Sequence, residues 1–82
     1  MTFRDKYDSE TTWQSKAIVM EIYHLVQTQR VPGWTLGHTA EYFGVSIGLV
    51  SENLKLAKAL VTNNKLAKLP SRQDALKGLR YG

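Results

Sequence analysis

The 82-residue chain contains no cysteine. A disulfide framework, a thiol nucleophile and a thiolate metal site are thereby excluded, so a fold this small must be held by core packing or by a partner. Long apolar runs are missing too: the longest, Ala17 to Met20, is four residues, against the roughly 20 that cross a bilayer. Because no signal-peptide pattern is present either, the expectation is a cytoplasmic protein with no membrane partner. Glycine-rich phosphate loops, nucleophile elbows and paired carboxylates are absent, and His24 and His38 are too far apart in sequence for an i, i+4 metal pair. One domain of this length buries only about 60 to 65% of its unfolded surface, which leaves little room for an internal active-site cavity. No enzyme, no metal or other cofactor and no small-molecule substrate are expected. Both histidines read as surface or packing residues.

No convincing strand signal occurs; the periodicity present is helical. It predicts an all-α, small helical bundle of about five helices, a single domain over residues 1–82. The first long segment runs from Thr11 or Thr12, either a possible cap, to Gln29, with Ile18, Val19, Ile22, Leu25 and Val26 on one stripe. Pro32 disfavours helix in Val31 and Gly33 permits a turn, which ends it. Thr35 is the next N-cap, and the i, i+4, i+7 spacing of Leu36, Ala40 and Phe43 turns those three inward and leaves His38, Glu41 and Tyr42 toward solvent or a neighbour. A further helix from Ile47 to about Val61 carries the stripe Val50, Leu54, Ala57 and Val61. Its second apolar edge, Leu56 and Leu60, needs a cover. The C-terminal segment 64–80 supplies one, as a short helix around residues 65–69 and a helix from Arg72 to Leu79 capped by Ser71, with Asp74 near its positive end. Trp13 and Trp34 read as core anchors. Alternating charge over residues 1–9 predicts a segment without fixed structure.

The net charge of +4 is unevenly spread. Residues 1–41 hold four basic against five acidic side chains, whereas residues 42–82 hold seven basic against only Glu52 and Asp74. Positive charge therefore begins at Lys55 and Lys58 and continues to the C-terminal end, as expected where a polyanion is met.

Residues 35–60, TLGHTAEYFGVSIGLVSENLKLAKAL, combine these signals. They read as a helix, a short turn built on Gly44 and a second helix capped by Ser46. Ala40 is small where two crossing helices touch, Gly44 can take positive φ, and Val45 and Val50 are apolar where the second helix packs on the first. This is the layout of a helix-turn-helix, which carries its second helix into the DNA major groove.

The stretch from Trp34 to Leu79 resembles the DNA-binding segment of ParB/KorB-type proteins and of related small phage and plasmid regulators. The resemblance rests on the Trp34-Thr35 start, Ala40 ahead of the Gly-Val-Ser turn at 44–46, the Val50-Ser51 pair and the Leu54-Lys55-Leu56-Ala57 end of the second helix. It implies a DNA-binding module alone, without the nucleotide-hydrolysing domain of partition proteins. By motif position it implies that Ser46, Ile47, Gly48, Ser51, Glu52 and Lys55 face the groove, and that Thr35 and Leu36 begin a helix abutting the DNA backbone.

Residue chemistry qualifies that expectation. Residues 46–60 contain no arginine, so the commonest direct guanine contact is not offered by this helix. Discrimination would rest on Ser46, Ser51, Glu52 and Asn53, on thymine-methyl contacts from Ile47 or Leu49, and on DNA shape, with Lys55 and Lys58 toward the phosphates. The expected partner is double-stranded DNA, and the expected role a regulator of transcription or partition. A lone copy would read weakly, which makes a homodimer the candidate protein assembly. The alternative is a protein-interaction adaptor that keeps the fold and uses the face of Ile47, Leu49 and Glu52, or the C-terminal apolar edge, to bind another protein.

Overall fold

Hydroxyl side chains open every α-helix among the described residues. In the computed structural model, which describes residues 2–63 and 65–81 and omits the side chains of Arg80 and Tyr81, the elements are α1 (Phe3–Ser9), α2 (Trp13–Arg30), α3 (Leu36–Phe43), α4 (Ile47–Thr62), a 3₁₀ turn (Leu66–Lys68) and α5 (Arg72–Tyr81). The oxygens of Thr2, Thr12, Thr35, Ser46 and Ser71 accept from Asp5 N, Ser15 N, His38 N, Leu49 N and Asp74 N. Each satisfies an amide that has no partner within its own helix. The fold is all-α, a small globule of five helices with no strand among the described residues. No helix among the described residues is long and apolar enough to cross a membrane.

Residues Phe3–Ser9 depart from the expectation of an unstructured N-terminus and form α1. Charge alternation describes its solvent side, while two aromatics hold the other. The Phe3 ring meets Tyr23 edge-on at 5.5 Å and Tyr7 meets Phe43 at 5.1 Å. Lys16 adds a third tie, donating from Nζ to the Tyr7 carbonyl at 2.7 Å. Met1 and Asn64, with which two of the expected segments begin, lie outside the described residues.

Two apolar clusters, both spanned by α2 and α4, form the core. Met20, Tyr23, Ala40, Phe43 and Val50 join α2, α3 and the first half of α4, with Trp34, Leu36 and Val45 packed against them. Ala17, Leu56, Ala57, Leu66 and Ala75 join α2, the second half of α4 and the C-terminal segment, with Trp13, Leu60, Leu69, Leu76 and Leu79 around them. The cover expected over Leu56 and Leu60 is thus present, and both tryptophans pack against the core.

The apolar stripe expected on α2 is corrected. Val19 is buried, but Ile18, Ile22 and Leu25 are 42%, 45% and 45% exposed. The inward arc instead carries Ala17, Met20 and Tyr23, because the close approach of α4 admits a small and a flexible side chain, and Tyr23 stacks on Tyr42 at 4.1 Å. Val61 is corrected likewise: next to the last residue of α4, it is 81% exposed. Val50 and Ala57 of that predicted stripe are buried and Leu54 is half-buried.

Candidate nucleic-acid interface

Gly44 ends α3 in the left-handed conformation, φ 70° and ψ 37°. Its N–H donates to the Glu41 carbonyl, and the Val45 N–H donates to the Ala40 carbonyl at 3.0 Å, the paired bonds of a Schellman turn. Val45 then packs back on the core beside Ala40, so α4 starts two residues later in a fixed direction. Thr39, wholly buried, holds the other side of α3. Trp34 Nε1 donates to its hydroxyl at 2.8 Å, and the same hydroxyl is hydrogen-bonded to His24 Nδ1 at 2.6 Å. A neutral imidazole suits that arrangement, and burial holds His24 below its ordinary value of 6.5.

The residues predicted from sequence fall into two groups. Ile47, Gly48, Lys55 and Lys58 are exposed and Ser51 is half-buried; on a helix of about 3.6 residues per turn they share one arc of α4, opposite buried Val50, Asn53 and Ala57. Thr35 and Ser46 are exposed but already engaged as the caps of α3 and α4. Gly37 of α3 approaches the same arc, within 3.7 Å of the Ile47 side chain when a Cβ is built on it. Neither lysine has a carboxylate partner among the described residues, where the ion pairs are Lys6 with Glu10 and Arg72 with Glu52.

Glu52 stands at the edge of this arc, held by Arg72 Nη2 at 2.8 Å. Asn53 is corrected: it is 2% exposed, accepts from Arg72 Nε at 2.9 Å and directs its amide nitrogen to Met20 Sδ, so it offers nothing to a ligand. Sequence reasoning missed Arg72 as the partner of both. The two residues lie 20 and 19 positions before it in the chain, and no local spacing carries that information.

Two open grooves border the C-terminal segment, one against α4 and one against the start of α2. One, of about 230 Å³, lies between Glu52, Lys55, Leu76 and Leu79. The other, of about 410 Å³, is bounded by Thr12, Gln14, Lys68 and Arg72. No group of three or more His, Asp or Glu residues able to hold a metal ion occurs among the described residues. Comparison with family models, with curated proteins and with solved structures finds no significant match.

Proposed function

We propose that the protein binds double-stranded DNA through a helix-turn-helix formed by α3 and α4, with the N-terminal half of α4 in the major groove. The observation that carries this reading is the outer arc of α4: short side chains and a glycine at its start, then two lysines without a carboxylate partner among the described residues, all on a helix that follows a left-handed glycine turn. Small residues admit close approach to base edges, and lysines one and two turns further on meet phosphate. The resemblance of residues 34–79 to ParB/KorB-type and related regulators supports a small phage or plasmid regulator of transcription or partition. Glu52, turned toward Arg72, leaves Ser51 and Ile47 as the side chains nearest the groove floor, so discrimination leans on thymine methyls and DNA shape.

The test is duplex affinity as a function of salt. With about five phosphates contacted, log affinity falls against log salt with a slope of about −4 to −5. A second reading, a protein-interaction adaptor, is favoured by the 56% exposure of Ile47. No binding to duplex at low salt selects the adaptor.

A further inference from the structure

Between Arg30 and Lys55 the chain carries no lysine or arginine. The whole α3–turn–α4 entry is therefore without a cation of its own, and Lys55 lies nine residues, about 13 Å at 1.5 Å per residue, beyond the Ser46 cap. A duplex presents phosphates on both lips of a major groove about 12 Å wide. Lysines at the far end alone would neutralise one lip.

The missing cation is carried in by α1. Its backbone is seated on α2 and α3 by the Phe3–Tyr23 and Tyr7–Phe43 contacts, and the Arg4 N–H donates to Tyr42 Oη at 3.3 Å. From there Arg4 reaches over the Gly44 turn, its Nη2 3.7 Å from where a Cβ on that glycine would sit. Arg4 is exposed and forms no ion pair with the described residues. Neighbouring Asp5 is occupied in the Thr2 capping box, where Thr2 N donates to its carboxylate.

We propose that Arg4 is a phosphate-contacting residue of this interface, supplying at the turn end of α4 the charge that Lys55 and Lys58 supply at the other. The inference rests on the DNA-binding reading of α4. A guanidinium grips phosphate through two parallel N–H donors, and α1 serves as the arm that positions it.

The test compares Arg4→Gln, Lys6→Gln and Lys55→Ala with the parent, by duplex affinity across a salt series and by thermal melting. Lys6 is the control for net charge, since it sits on the same helix but pairs with Glu10. Expected is a loss of about 1 from the salt slope in Arg4→Gln and in Lys55→Ala, little change in Lys6→Gln, and parental melting for Arg4→Gln. If Lys55→Ala lowers the slope while Arg4→Gln does not, Arg4 makes no contact although α4 does. Lower melting of Arg4→Gln with an unchanged slope overturns the proposal in favour of a cation that only neutralises the carbonyl end of α3. A parent that fails to bind duplex overturns both readings.

Discussion

Arg72, the first residue of α5, donates from Nε to the side-chain oxygen of Asn53 at 2.9 Å, although Asn53 lies on the buried face of α4 and is 2% exposed. Through Nη2 the same guanidinium holds Glu52 at 2.8 Å. One arginine thereby satisfies a buried amide, ties the C-terminal segment to α4 and draws an acidic side chain toward the edge of the arc proposed to meet phosphate.

Arg72→Ala should therefore act in two ways. Leaving the Asn53 oxygen without a donor costs about 1 to 3 kcal/mol, read by urea denaturation. Releasing Glu52 should also weaken duplex binding. Parental stability in this variant would mean that water replaces the guanidinium at Asn53.

Gly44→Val should destabilise the fold by about 1 to 3 kcal/mol, because a β-branched residue is strained at positive φ. Thermal melting checks it. A melting point equal to the parent's would show that the α3–α4 turn is not held left-handed.

Stability should depend on pH through His24. Its folded value is depressed by burial, so near and below its ordinary value of 6.5 the unfolded chain binds more protons than the folded one. The contribution is complete above that value and is lost as pH falls through the depressed folded value. Melting curves from about pH 8 to about pH 5 should show the loss in the parent and a weaker one in His24→Gln. Equal slopes in the two proteins would assign the dependence to other groups.

The exposed stripe of α2 and the buried residues beside it should respond differently. Met20→Ala should cost about 2 to 5 kcal/mol, as for a filled core site. Ile22→Ser should cost about 0.5 kcal/mol, as on a surface. Comparable losses in the two variants would place Ile22 against a partner in solution.

On the DNA reading, Lys58→Ala should weaken binding to a selected site and to a scrambled duplex alike, reducing the salt slope by about 1. Ser51→Ala should instead change which duplex is preferred. Affinities for both duplexes separate the two effects, and parental binding by both variants removes α4 from the contact surface.

Local rules written into short stretches were legible without a structure. Thr12, Thr35, Ser46 and Ser71 cap where a hydroxyl precedes a helical period, and Gly44 takes positive φ because only glycine does so without strain. Lys55 and Lys58 could be placed on one arc with Ser51, since that placement needs only the helical repeat. Tertiary packing decided the rest. Which face of α2 turns inward depends on how closely α4 approaches: Ala17 and Met20 fit there and Ile18, Ile22 and Leu25 do not, though hydrophobicity alone ranks them the other way. The order of residues 3–9 comes from Phe3 and Tyr7 finding Tyr23 and Phe43 across the fold. Asn53 looked like a reader of bases until Arg72, 19 residues away, claimed it. Periodicity and capping are properties of neighbours in sequence, whereas a partner across the core exists only once the helices have packed.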